Sequence, residues 1–257
     1  MHSFDITLEN LSKMEGHADL DIRVRNGKVE YVKFKITENQ RFYEQAARCQ
    51  PIITLPQLMS RICGTCSIAH MTCCIEAIEN AAGIVPTEQS LVMKKLMTYG
   101  LMVRDHALHL YFFSLPDLVG KDSILDFSED DSREHKLLHD SFDIKRAGNM
   151  LSTLIAGKAV HAPFPTAGGF LKTPDEAGIQ KVVSELNHAR PAVLDIIDVF
   201  HKWDEKVERD TDFVALCTSD FSFLNGEIRT TQGETVQEKD YHEHLTNVVL
   251  PYSHAQG

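Results

Sequence analysis

Residues 61 to 70 read Arg61-Ile62-Cys63-Gly64-Thr65-Cys66-Ser67-Ile68-Ala69-His70, two thiols two residues apart with a histidine four further on. As thiolates, Cys63 and Cys66 can hold one ion between them or share a sulfur between two, because sulfur donors select thiophilic transition metals. Gly64 is expected to let the backbone turn tightly enough for both sulfurs to converge, since glycine alone takes left-handed dihedrals at little cost. His70 falls on the first turn of the helix that follows, within reach as an outer-shell donor. Arg61 brings a planar fork of N–H donors to the entrance of the turn, where its alternative is a surface ion pair. A thioredoxin-like redox pair would need a neighbouring βαβ pattern, which the flanks do not show. Structural zinc would need a second ligand pair at ribbon or finger spacing, and Cys49, Cys73, Cys74 and Cys217 do not form one.

Other residues with chemical potential carry less. His106 and His109 share a helix face, a spacing that can ligate metal, but on an otherwise apolar helix it reads as hydrogen-bonded core. His161, next to Lys158 and a run of glycines, reads either as an outer-shell donor or as a residue that fixes a loop. The six cysteines show no regular disulfide spacing, which suits a reducing compartment. A net charge of −11 argues against a nucleic-acid surface, which needs a basic patch to displace counterions. No apolar run approaches the ~20 residues that cross a bilayer, and the start lacks the basic and apolar regions of a signal peptide. These features together predict a cytoplasmic protein without a direct membrane span.

The elements that must position the cysteines follow from periodicity. Residues 4–8 and 19–36 alternate apolar and polar side chains, and Asn26-Gly27 is a hairpin signal, so the front is a small antiparallel sheet. From Thr54 the period lengthens: Ile68, Met71, Ile75 and Ile78 recur three to four apart, and Gly83 with Pro86 closes that helix. A second long helix is expected over about 87–113, and a solvated acidic, histidine-rich excursion over 121–140. Then come a helix near 142–157, a Gly/Pro loop at 161–174 and a helix at about 175–208. The predicted class is α+β, predominantly helical, a small N-terminal antiparallel sheet (1–40) followed by a bundle of long helices (41–257) in one domain.

The ten-residue cysteine string resembles the first cysteine signature of the nickel-iron hydrogenase large subunit. Other segments resemble that family in the same order. Lys13-Met14-Glu15-Gly16-His17 is similar to its Arg-Ile-Glu-Gly-His element, and Arg104-Asp105-His106-Ala107-Leu108-His109 to its His-x-x-His helix. Gly157-Lys158-Ala159-Val160-His161 followed by Ala167-Gly168-Gly169 is similar to its Gly-Lys-x-x-His and Pro-Gly-Gly run, with Ala167 in place of proline.

The resemblance implies a bimetal centre of nickel and iron, the iron completed by carbon monoxide and cyanide, held by four cysteines. Cys63 would be a terminal nickel ligand and Cys66 a bridge between nickel and iron. Glu15 matches the family's proton-relay glutamate, so it would act as the catalytic acid/base, provided burial raises its pKa toward the working pH. His17 would support it structurally. Glu44, in Arg41-Phe42-Tyr43-Glu44, resembles a glutamate that helps bind magnesium, an ion that favours oxygen ligands.

One departure stands out: no second C-x-x-C follows Cys66. The chain is therefore expected to be the front portion of a large subunit, C-terminally incomplete, that supplies half of the Ni-Fe site and is inactive alone. The implied activity is reversible oxidation of dihydrogen to protons and electrons. The implied partners are an iron-sulfur small subunit and a C-terminal large-subunit segment bearing the second cysteine pair. The alternative is a non-catalytic assembly or interaction subunit related to the quinone-side subunit of complex I, against which the retained Cys63 and Cys66 speak.

Overall fold

The computed structural model describes residues 2–38, 40–203 and 206–255. The chain divides into two compact units, Met1–Cys49 with Val236–Gly257, and Gln50–Thr235. The class is α+β and mostly helical, with the small antiparallel sheet at the front.

In the first unit, β1 (Phe4–Leu8), β2 (Ala18–Arg25) and β3 (Lys28–Ile36) form an antiparallel meander, followed by α1 (Gln40–Ala47). Asn26 and Gly27 both take positive φ, 52° and 76°, which matches the turn twist to the strand twist and makes the two-residue hairpin possible. The register sets Phe4 opposite Val24, Ile6 opposite Ile22 and Leu8 opposite Leu20. Leu20 and Ile22 in turn face Phe34 and Val32. Directly paired residues lie on one face of a sheet, so the apolar side chains share one face while Asp5, Asp21, Arg23, Lys33 and Lys35 occupy the other. Lys35 pairs with Asp21 there at 2.9 Å. At the end of β3 the Ile36 N–H donates to Ser253 Oγ at 3.0 Å, and the His254 N–H donates to the Ile36 carbonyl at 2.8 Å.

The second unit is built on four long or pivotal helices. After the short α2 (Leu55–Met59) comes α3 (Ser67–Ala82), whose Ile68, Met71 and Ile75 are fully buried and whose C-terminus is closed by Gly83 at φ 64°. The helix α4 (Glu88–Ala107) starts at Thr87, whose Oγ1 accepts the Ser90 N–H. It does not run to 113 as an α-helix. From Leu108 to Ser114 the chain widens into a π-turn and then enters the short α5 (Leu115–Leu118). Tyr111, inside the widened segment, is buried, while His106 on α4 and His109 are exposed, which corrects the reading of these histidines as core.

The acidic excursion is also shorter than its composition suggests. The helix α6 (Ser132–Ala156) begins ten residues before the expected 142, because the Asp131 carboxylate accepts the Arg133 and Glu134 N–H groups and caps it. Ile124, Phe127 and Leu137 are buried, so this segment contributes to the core as well as to the surface. A tiny hairpin, β4 (Pro165–Thr166) with β5 (Gly169–Phe170), interrupts the Gly/Pro loop. The helix α7 (Glu176–His201) then follows; of its expected extension to 208, residues 204–205 lie outside the described ones. The ladder of β6 (Val214–Cys217) with β7 (Glu227–Thr230) was not expected from the sequence.

Two features set the spacing of this unit. Helices α4 and α6 cross at backbone contact: a Cβ on Gly100 would lie 2.8 Å from the Ser152 amide nitrogen, and one on Gly148 would lie 2.7 Å from that of Arg104. Only glycines permit that approach. The second is a buried ion pair, Lys94 Nζ to Glu79 Oε2 at 2.5 Å, whose side chains are 1% and 4% exposed. Glu79 also accepts the Gly168 N–H at 2.8 Å, so one carboxylate joins α3, α4 and the β4–β5 hairpin. Ile68, Met71 and Ile75 of α3, Met93, Met97 and Leu101 of α4, and Leu151 and Ile155 of α6 form the core between these fastenings.

Candidate metal centre

The chain from Ser60 to Ser67 leaves α2 through two successive turns and enters α3 at Cys66, its N-cap residue. Cys63 is buried and Cys66 half-buried, their Cα atoms are 5.6 Å apart, and their sulfurs lie within disulfide contact of each other. That Cα separation suits a direct sulfur–sulfur bond. The Cys66 N–H donates to Cys63 Sγ at 3.2 Å and Thr65 Oγ1 lies 3.4 Å from the same sulfur. An N–H aimed at sulfur stabilises negative charge there, and so does the positive end of the α3 dipole.

Gly64 does not close this turn in the way its type suggests. Its φ is not among the positive ones, and a Cβ added to it would meet nothing within 4 Å. The turn is held by its neighbours instead. Arg104, on α4 and only 5% exposed, sends one guanidinium nitrogen to the Thr65 carbonyl at 2.5 Å and the other to the Ala159 carbonyl. Burial pushes its pKa down, with Asp105 opposing, yet an arginine stays charged under any physiological condition.

The loop after α6 completes the enclosure. Gly157 takes φ 87°, ends α6, and lies under the Phe164 ring, which a Cβ would strike at 2.8 Å. His161 then adopts φ 52°, a left-handed conformation uncommon outside glycine. Its N–H donates to Ser67 Oγ at 3.1 Å and its Nδ1 lies 3.4 Å from Ser60 Oγ. Gln57 of α2 donates to the Ala162 carbonyl at 2.7 Å. The C-x-x-C turn is thus gripped by α2, α3, α4 and the 157–162 loop, all within the second unit.

Among the residues singled out from the sequence, Cys63, Cys66 and His161 come together here. His70 sits on the first turn of α3, half-buried, with its N–H donated to the Cys66 carbonyl at 3.3 Å; burial lowers its imidazole pKa, which keeps it neutral near pH 7. Arg61 is exposed at the end of α2, and its backbone N–H donates to Leu58. Glu15 and His17 belong to the first unit, both exposed in the β1–β2 loop, where the His17 carbonyl accepts the Thr37 N–H at 2.9 Å. Glu44 is exposed on α1.

Sequence reasoning gave Arg104 no task, although a signal was present. Met97, Leu101 and Arg104 follow at helical spacing on the buried face of α4, and a charge on an apolar stripe must be neutralised or fully hydrogen-bonded.

Residues 50–144 match a family model described as nickel-dependent hydrogenase. Sulfhydrogenase 1 subunit alpha of Pyrococcus furiosus is 27% identical over 98% of this chain and 59% of its own length. Sulfhydrogenase 2 subunit alpha of the same organism is 30% identical over 98% of this chain and 58% of its own. The chain therefore spans somewhat more than half the length of the curated relatives it matches. In fold it is similar to an NAD+-reducing [NiFe]-hydrogenase in the H2-reduced state, with a TM-score of 0.85 at 20% identity, covering 98% of this chain and 61% of that one. The Ni-Fe-Se hydrogenase of D. vulgaris Hildenborough gives a TM-score of 0.69 at 19% identity, covering 92% of this chain and 54% of that one. The motifs and their order, the cysteine turn at the head of α3 and these similarities together relate the chain to the N-terminal part of the large subunits of nickel-dependent hydrogenases.

Proposed function

We propose that this chain is part of a nickel-iron hydrogenase large subunit that catalyses the reversible oxidation of dihydrogen to protons and electrons within a complex. The observation that carries the reading is the convergence of Cys63 and Cys66 at the N-terminus of α3, in a turn with an N–H donated to sulfur and a buried guanidinium on its backbone. Two convergent thiolates are a donor set that selects soft transition metals, and this chemistry fits a Ni-Fe centre. Cys63 would be a terminal nickel ligand and Cys66 the bridge to an iron that also carries carbon monoxide and cyanide. When bound, the metals would supply the site at which hydrogen is split heterolytically.

The chain's own residues then have separable tasks. Arg104 and His161 hold the turn so that both sulfurs keep one orientation, which is how a protein fixes metal geometry from outside the ligand set. Arg104 acts on the backbone of the turn, through the Thr65 carbonyl one residue before Cys66. Glu15 would move the proton, and Glu44 would contribute an oxygen ligand to magnesium. One C-x-x-C is present in the 257 residues, so two further thiolates must come from another large-subunit segment, and electrons must leave through an iron-sulfur partner.

The test is co-production with the partner, the complementary large-subunit segment and the maturation machinery, followed by metal analysis and hydrogen uptake. Nickel and iron in equal amounts with hydrogen turnover are expected, and Cys66→Ser should abolish both iron retention and turnover. Glu15→Gln should leave the metals and slow proton exchange. The 257-residue chain alone should show no turnover. Hydrogenase activity unaffected by Cys66→Ser would overturn the reading.

A further inference from the structure

A second cluster of ligand-type side chains lies outside the cysteine turn. His135 and His139 stand one helical turn apart on α6, with ring centroids 4.4 Å from each other. Glu129, just before the Asp131 cap, folds back over them: its Oε2 is 2.5 Å from His135 Nδ1 and 3.8 Å from His139 Nε2. One ligand atom from each of the three lies within 4.8 Å of the others. The side chains of Glu129, His135 and His139 are 62%, 49% and 59% exposed, so a hydrated ion can reach them.

This arrangement is held by backbone, not by chance rotamers. The Ser128 N–H donates to Glu134 Oε2 at 2.7 Å, and Ser128 Oγ accepts the Asp130 N–H at 3.2 Å. Asp131 caps α6 with both the Arg133 and Glu134 N–H groups. The segment from 128 to 134 is therefore folded onto the first turn of the helix, and it presents the Glu129 carboxylate to the histidine face.

We propose that Glu129, His135 and His139 form a surface site for a borderline divalent cation of the zinc class. Two imidazoles and one carboxylate suit such an ion, and three protein donors leave one tetrahedral position for water. A tetrahedral zinc at its usual bond lengths needs donor atoms about 3.3 Å apart, so the 2.5 Å Glu129–His135 contact must open and the 3.8 Å Glu129–His139 contact close, both small adjustments for exposed side chains. Asp130, Asp131 and Glu134 lie in the same segment, the Glu134 carboxylate paired with Lys121 at 2.7 Å. The positive end of α6 opposes a cation, but that effect is confined to the first turn, and both histidines lie at or beyond its end.

The test uses the 257-residue chain and zinc alone. Equilibrium dialysis compares wild type with His135→Gln, His139→Gln, the double variant and Glu129→Gln, counting zinc per chain, while Cys63→Ser/Cys66→Ser identifies zinc held by thiols. We expect the double histidine variant to lose one zinc equivalent while the thiol-bound zinc remains, and each single variant to weaken the site at least tenfold. In side-chain NMR the His135 and His139 resonances should move together with substoichiometric zinc. Equal zinc counts and affinities in wild type and the double histidine variant would overturn the site. Full retention by Glu129→Gln would overturn the three-ligand assignment.

Discussion

The cysteine turn and the Glu129–His135–His139 cluster are two answers to the problem of bringing metal-binding side chains together. Around the turn, Thr65 is joined to Arg104, Ser67 to His161 and Gln57 to Ala162, partners separated by 39 to 105 residues. The cluster is made from eleven consecutive residues and one helix cap. One site is buried and assembled only when the whole unit folds; the other is exposed and assembled as soon as α6 starts. A site built from distant parts can hold its donors rigidly and keep water away, whereas a local site stays adjustable and exchanges freely with solvent. The first suits a resident centre that must keep its geometry, and the second suits an ion that comes and goes.

If that contrast is right, damage to the scaffold should reach the cysteine turn and spare the cluster. The largest effect is expected from Glu79→Gln, which leaves Lys94 charged and buried without its counter-charge. Breaking one partner of a buried pair costs roughly 4 kcal/mol, and chemical denaturation of the chain should show a loss of that order. Replacing both, as in Glu79→Leu with Lys94→Met, should recover much of it. Arg104→Ala should come next: two hydrogen bonds from a charged donor disappear and two carbonyls lose their partner, about 3 kcal/mol together. Under reducing conditions Cys63 and Cys66 should then alkylate faster, while zinc binding at Glu129, His135 and His139 stays unchanged. Equal alkylation rates in Arg104→Ala and wild type would show that the guanidinium does not hold the turn.

Smaller effects should fall on the other side of the comparison. Asp131→Ala removes the cap that places Glu129 against α6, so zinc affinity at the cluster should drop with little change in the alkylation of Cys63 and Cys66. The Glu134 and Arg133 N–H groups hold the Asp131 carboxyl below its ordinary value. Its stabilising contribution is therefore complete above the unfolded carboxylate pKa and fades as pH falls through the lower folded one; acid titration of helicity should lose that component in Asp131→Ala. The smallest effect is expected from His135→Gln with His139→Gln in the absence of metal. Both side chains face solvent, and an unchanged thermal midpoint would confirm that they bind without contributing to the fold.

Much of this molecule was legible before its structure. Asn26-Gly27 announced the hairpin, the spacing of Ile68, Met71 and Ile75 announced the buried face of α3, and Gly83 announced its end, because each depends on dihedral preference or period within a few residues. The Cys63–Cys66 pair was legible for the same reason. Other readings failed where a local signal had two outcomes. The acidic stretch after 121 hid an N-cap and a buried Ile124 and Phe127 behind its charge. The spacing of His106 and His109 shows that they share a helix face but not that the face is exposed, nor that the helix widens at Leu108.

The sequence by itself determined that two thiols two residues apart head a helix, in a chain whose motifs follow one family's order. Only the tertiary structure decided what holds those thiols. Gly64, the residue whose type promised a tight turn, takes no positive φ there, and Arg104, whose place on the apolar stripe of α4 marked it as buried but not what it would bind, does the holding. The physical reason is that a residue's own dihedrals are encoded within a few positions, whereas a buried guanidinium finds its carbonyls only after α4 has packed against α6, which leads into Ala159, and against α3, which Thr65 precedes.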